Sequence, residues 1–248
     1  MASKKRRNSI YVIYEGYREG YFLEHLEKHS GVRLNSQFCS GGNANQIVTN
    51  GIKHSARDMN VYVFFDEDFE SKPDQKISDE TLEGLAKAWK LDNATLAGCL
   101  YTKLQEKNKD MRNPIIVVSS PQSIEGFILR LLDILQKDTL KGKTAKQLKQ
   151  MIDSLLGNVQ LHNGDVRQIQ FCDEKIAKYR QEIAKQKRGE PNYQERRRFL
   201  ESKIQDCERG KNKVFFMRFL IDKLPLPVIN AKRNDIPEAD ILLKAFGL

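Results

Sequence analysis

Two runs of β-branched and aromatic residues constrain this chain more than anything else in it: Ile10-Tyr11-Val12-Ile13-Tyr14 and Val61-Tyr62-Val63-Phe64-Phe65. Uninterrupted apolar runs of this length read as buried strands. Each run stops at acid, the first before Glu15-Gly16 and the second before Asp66-Glu67-Asp68. In an open α/β sheet the carboxyl ends of the strands face the ligand crevice. Carboxylates gathered there repel one another unless a cation offsets them, and oxygen-rich ligand sets suit Mg2+ or Mn2+. The pattern predicts a metal-dependent enzyme acting on phosphates.

The surrounding sequence alternates strand and helix signals in the βαβ manner as far as residue 135 or so. Strands are predicted at Ile10–Tyr14, near Val32–Cys39, at Val61–Phe65 and at Ile115–Val118. Helices are predicted at Glu19–Lys28 and Ala44–Arg57, around Leu82–Trp89, and at Leu96–Leu104. A further helix is predicted to open on Ser120 as N-cap, with Pro121 at its first position, and to run through Leu135. Asp66 and Asp68 share a side if the chain there is extended. With Glu15 from a neighbouring strand they can chelate one hard cation. Glu125, one turn into the last helix, and Glu19 can reach the same edge. Their extra carboxylates permit a second ion, the clamp used for in-line phosphoryl displacement.

Strand–Glu-Gly followed by strand–Asp-x-Asp in such a body resembles the TOPRIM domain. More narrowly, Glu15-Gly16-Tyr17-Arg18-Glu19-Gly20-Tyr21-Phe22 resembles the opening motif of RloB-like proteins, and Val61 to Asp68 resembles their acidic strand. Ile115 to Pro121, followed by Glu125, resembles their closing strand, Ser-x-Pro region and helix glutamate. The resemblance covers residues 9 to 136. Arg18-Glu19 stands closer to Glu-Gly than the usual Thr-Glu pair, and Phe127 stands where a Trp is usual. The resemblance implies a TOPRIM-like, mainly parallel sheet flanked by helices. It implies that Asp66 and Asp68 hold Mg2+ (or Mn2+), one or two ions, and that Glu15 is a ligand or general acid or base. Glu125 joins the metal ligands, and Glu15, Glu19, Asp66, Asp68 and Glu125 are together the candidate catalytic residues. The activity implied is a nuclease hydrolysing phosphodiester bonds of DNA or RNA in prokaryotic anti-phage defence, beside a separate ATPase subunit. The alternative is a nucleic-acid-binding or partner-binding defence subunit with a degenerate site.

From Lys137 onward strand signals fade and charge density rises. Ile169, Cys172, Ile176, Tyr179 and Ile183 recur at intervals of 3 and 4, and Tyr193, Leu200, Ile204 and Cys207 resume the stripe after Arg188-Gly189-Glu190-Pro191. This predicts a helical hairpin over about 166–209 within a basic α-helical region, 137–248. The region is predicted to pack back on the 9–136 body, with Val214–Leu224 docking back into a core, and a last helix is predicted at Glu238–Phe246. The chain carries a net charge of +9 and a pI near 9.3, suited to a polyanionic partner. Residues 175–213 hold 13 Lys and Arg against 6 Asp and Glu, an excess of 13 − 6 = 7. Lys185, Lys187, Arg188, Arg196, Arg197 and Arg198 are the candidate phosphate contacts. Lys4-Lys5-Arg6-Arg7 precedes no apolar signal core, and no apolar run approaches the ~20 residues of a membrane span. The expectation is a cytoplasmic protein without a membrane partner. Its four scattered cysteines match no zinc or disulfide framework. His25 and His29, four apart, read as ordinary helix residues sooner than as a metal pair. Gly41-Gly42-Asn43 lacks the Lys of a P-loop and reads as a turn.

Overall fold

Four strands pair in parallel: β1 (Ser9–Tyr14), β2 (Arg33–Phe38), β3 (Asn60–Asp66) and β4 (Ile115–Ser119), in the order β2-β1-β3-β4. The structure is a computed structural model that describes residues 9–39, 54, 60–66, 115–119, 123–135, 143–186 and 192–248. Tyr14 stands opposite Phe38 on one side and Phe64 on the other, and Asp66 opposite Ser119. Ile10, Val12 and Ile13 of β1 are buried, as are Val61, Tyr62, Val63 and Phe64 of β3. Successive residues point to opposite faces, so both faces of the central strands are covered.

The helices are α1 (Tyr17–His29), α2 (Ile124–Leu131), α3 (Ala145–Leu156), α4 (Asn163–Lys185), α5 (Tyr193–Lys223), α6 (Leu226–Ala231) and α7 (Pro237–Ala245). The result is a mixed α/β chain, mostly helical, with a small parallel sheet flanked by helices. It divides into two compact units, residues 1–153 with 223–248, and residues 154–222.

In the sheet-bearing unit α1 lies against β2, and both α2 and α7 lie against β4. An aromatic cluster ties sheet to helices. The Phe127 ring meets Phe22 edge-on at 5.5 Å and Phe64 edge-on at 6.3 Å, and all three are fully buried. Gly20 allows α1 its close approach to the sheet: a Cβ there would sit 2.8 Å from the Tyr14 ring. His25, 1% exposed, donates its Nε2–H to the Leu224 carbonyl at 2.8 Å and so fastens α1 to the returning chain. Arg130 of α2 pairs with Glu238 of α7 at 3.6 Å, both largely enclosed.

In the other unit α4 and α5 run antiparallel. Arg218 pairs with Asp165 at 2.8 Å, Lys211 pairs with Asp173 at 2.6 Å, and Gly210 lies against the Cys172 Sγ. Partner numbers thus rise on one helix as they fall on the other. Ile176 and Leu200 are the most enclosed residues of the expected stripe.

The four strands match their expected positions to within a residue or two. Three helical details differ. The helix expected from Ser120 begins at Ile124 with Ser123 as N-cap, and it ends at Leu131, short of Leu135. Val214–Leu224 does enter a core, with Val214, Phe216, Met217, Phe219, Leu220 and Leu224 buried, but as far as Lys223 it is the continuation of α5, which runs unbroken from Tyr193. The stretch punctuated by Pro225 and Pro227 forms the short α6, since proline is tolerated in a first turn. The helices expected over 44–57, 82–89 and 96–104, the Gly41-Gly42-Asn43 turn and the Ser120-Pro121 pair lie outside the described residues.

Two tests follow from this packing. Phe127→Ala is expected to lower the free energy of unfolding by about 3–5 kcal/mol, measured by denaturant titration, because it empties the contact between Phe22 and Phe64. Burial above all, with the charges of His29 and Lys28, presses the His25 pKa below its ordinary 6.5 despite the bond to Leu224. A depressed histidine contributes stability that is present above the unfolded-state pKa and lost as pH falls through the folded-state value. Below pH 6.5 the wild type should lose thermal stability more steeply than His25→Gln, whose amide still donates to Leu224 but cannot take up a proton.

Candidate metal centre

The carboxyl ends of β1 and β3 and the first turns of α1 and α2 bring four carboxylates to one edge. Glu15 follows β1 directly, and Asp66 closes β3. The strands are neighbours in parallel register, so the two acids leave the sheet side by side. The Asp66 backbone N–H donates to Glu15 Oε2 at 3.4 Å. The Asp66 Oδ1 accepts the N–H of Ile124, the first residue of α2, at 2.9 Å. Asp66 therefore sits at the positive end of a helix and does the N-capping that Ser123 does not, as Ser123 makes no side-chain cap bond.

Glu19 comes from the first turn of α1 and is 2% exposed. Gly16 makes room for it, since a Cβ at that position would overlap the Glu19 carboxylate. Burial, the negative charge of Asp66, a hydrogen bond with Asp66 and the charge of Glu125 together hold the Glu19 pKa well above the ordinary carboxylate value of 4.5. Two carboxylates in hydrogen-bond contact need a proton between them. Glu125 lies in the first turn of α2 and is 9% exposed. Arg18 donates to it at 2.7 Å and also pairs with Asp153 of α3.

Glu15, Glu19, Asp66 and Glu125 are thus brought together, while Asp68 lies outside the described residues. Among the described residues no three His, Cys, Asp or Glu side chains already form a metal-holding group. The donor chemistry still fits a hard cation. A divalent ion would offset the repulsion between Glu19 and Asp66 that raises the Glu19 pKa, and the carboxylates are hard oxygen donors. Ser123 adds a hydroxyl that is 2% exposed and makes no hydrogen bond among the described residues. His25 and His29 form no second centre, because the Leu224 carbonyl already engages His25 Nε2.

Sequence reasoning did not find the roles of Arg18, Ser123 and Asp153. Arg18 was visible only as a departure from a family spacing. Asp153 lies 135 residues from its partner and carries no local signal.

The expected phosphate contacts sit on the helical hairpin. Lys185 is exposed at the end of α4, and Arg196, Arg197 and Arg198 are exposed near the start of α5. Arg197 is committed to Glu201 at 2.9 Å and to the Tyr193 hydroxyl at 3.0 Å. Lys187 and Arg188 lie outside the described residues.

The raised pKa of Glu19 has a definite sign in stability. The folded state holds the proton more tightly than the unfolded state, so the contribution is whole below about pH 4.5 and is lost as pH rises through the folded-state value. With EDTA present, the melting temperature of the wild type should fall over that window relative to Glu19→Gln, which keeps a donor to Asp66. Added Mg2+ should flatten the wild-type slope. Comparison of the chain with protein-family models, with curated proteins and with solved structures finds no match.

Proposed function

We propose that this chain is a Mg2+-dependent nuclease built on a TOPRIM-like sheet, hydrolysing phosphodiester bonds of DNA or RNA. The observation that carries the reading is the group of Glu15, Glu19, Asp66 and Glu125 at the carboxyl edge of two adjacent parallel strands, where burial and the charge of Asp66 raise the Glu19 pKa. The order of the acidic strand ends along the chain supports it. Glu15, Asp66 and Asp68 are the residues that would hold the metal, with Glu125 and the Ser123 hydroxyl beside them. A bound divalent ion would neutralise charge on the scissile phosphate and lower the pKa of an attacking water. Glu19 is too enclosed to meet a polymer directly, so its part is to fix the orientation of Asp66, as an outer hydrogen-bond partner fixes a ligand. The Ile124 N–H holds the other side of the same carboxylate. Arg18, half enclosed between Glu125 and Asp153, sets the position of Glu125. A role in anti-phage defence with a separate ATPase belongs to the same proposal and rests on the RloB-like motifs alone.

A second reading is a nucleic-acid-binding subunit with a degenerate site. It is favoured by the commitment of Glu125 to Arg18.

The test is incubation with labelled tRNA, single-stranded DNA and duplex DNA, with Mg2+, with Mn2+ and with EDTA. Cleavage is expected only with metal. Asp66→Asn and Asp68→Asn should each lower the rate by about 100-fold or more, and Glu19→Gln by roughly 10- to 100-fold. Binding without cleavage under all metal conditions would select the second reading.

A further inference from the structure

The helical hairpin carries two phenylalanines that its packing does not use. Phe171 on α4 is 55% exposed and Phe199 on α5 is 59% exposed, more than any other large apolar side chain among the described residues. Each has a lysine from the next turn of its own helix over the ring. Lys175 Nζ lies 4.2 Å from the Phe171 centroid, and Lys203 Nζ lies 5.4 Å from that of Phe199.

The two pairs share a face. Phe171 precedes Cys172 and Phe199 precedes Leu200, and Cys172 and Leu200 both belong to the seam between the helices. In antiparallel right-handed helices the same rotation from the seam leads to the same side of the pair. Lys178 and Lys185 follow Phe171 at seven-residue steps, and Arg196 lies one turn before Phe199, so they join this face. The side chains of Lys178, Lys185 and Arg196 are exposed. None of them, nor Lys175, makes an ion pair with another described residue. Glu182 and Asp206 are the acids on this side. The residues that follow the seam positions fall on the other side, and the charged ones among them are Asp173, Glu201 and Glu208 with Arg180, so that side has more acid than base. The ion pairs across the hairpin place Phe199 opposite about residue 184, roughly 20 Å along the axis from Phe171.

We infer that this face of the hairpin binds single-stranded nucleic acid, with bases stacked on Phe171 and Phe199 and phosphates met by Lys175, Lys178, Lys185, Arg196 and Lys203. Exposed aromatic rings set in a basic surface are what a strand with unpaired bases requires, because stacking needs an open π-face and the backbone needs cations. A duplex hides its base faces and can use only the charges. The inference rests on the nuclease reading in one respect: it names the class of polymer that the carboxylate edge would cut.

The experiment separates the two. Fluorescence anisotropy in EDTA measures binding of labelled oligothymidylate, an RNA of equal length and a duplex of equal length, without any cleavage. Phe171→Ala and Phe199→Ala are each expected to weaken single-strand binding by roughly 5- to 100-fold and to leave duplex binding and the salt dependence unchanged. Lys178→Gln and Arg196→Gln should instead each lower the single-strand salt slope by about 0.7. Both phenylalanines are more than half exposed, so the variants should keep the wild-type circular dichroism. Unchanged single-strand affinity in the double phenylalanine variant would overturn the inference, as would an equal loss on the duplex. Conversion of a dimer to a monomer at unchanged affinity would overturn it as well and give the face to a second copy of the chain. A wild type that binds single strands in this way but never cleaves with Mg2+ would overturn the nuclease reading and leave this face standing.

Discussion

Parallel pairing of β1 with β3 is the constraint on which the sheet-bearing unit depends. Both strands are central, and both are enclosed on two faces. No polar side chain can be tolerated along their length without a partner, so the acids are confined to the strand ends. Parallel direction then does the rest, because it sends Glu15 and Asp66 out of the same edge. An antiparallel neighbour would have placed them at opposite ends. The helices that cover the sheet complete the group. α1 starts directly after Gly16 and delivers Glu19 from its first turn. α2 turns its N-terminus toward Asp66, supplying an N–H in place of a charged side chain.

β1, β3 and β4 were legible in the sequence because each is an apolar run with acid, glycine or turn residues at its margins, whereas β2, Arg33-Leu34-Asn35-Ser36-Gln37-Phe38, is a polar edge strand with a weaker signal. The acidic edge was legible for the same reason, since a strand end is also a place in space once the direction is parallel. What was not legible depended on distant partners. Ser120-Pro121 carries a strong helix-start signal, yet α2 begins at Ile124, where the capping oxygen comes from Asp66, 58 residues earlier. Arg18 reads locally as an exposed helix residue, and only the fold shows it between Glu125 and Asp153. The length of α5 was missed because its apolar second half resembles a separate core segment. The amphipathic stripe changes its width there, but nothing in the backbone stops the helix.

The hairpin shows how one heptad-like pattern can serve two purposes. The seam residues fix the pairing of α4 with α5, and the ion pairs Asp165–Arg218 and Asp173–Lys211 fix its register. The flanks are then free to differ, and they do: one is aromatic with more base than acid, the other has more acid than base. The local excess of positive charge is therefore not spread evenly around a solvated rod. The Arg196-Arg197-Arg198 tract illustrates the point, because three consecutive helical residues cannot share a side, and Arg197 is turned to its own helix neighbours.

The bond between His25 and Leu224 joins residues 199 apart, and the C-terminal α7 lies against β4. Contacts of such separation close late, whereas Asp173 and Lys211 of the hairpin are 38 residues apart. During synthesis the hairpin can therefore form while the sheet still lacks part of its cover. β4 gains the cover of α7 only after the residues following α5 have left the ribosome. A chain stalled before that point would present a folded, cationic hairpin while the sheet still waits for its last helix.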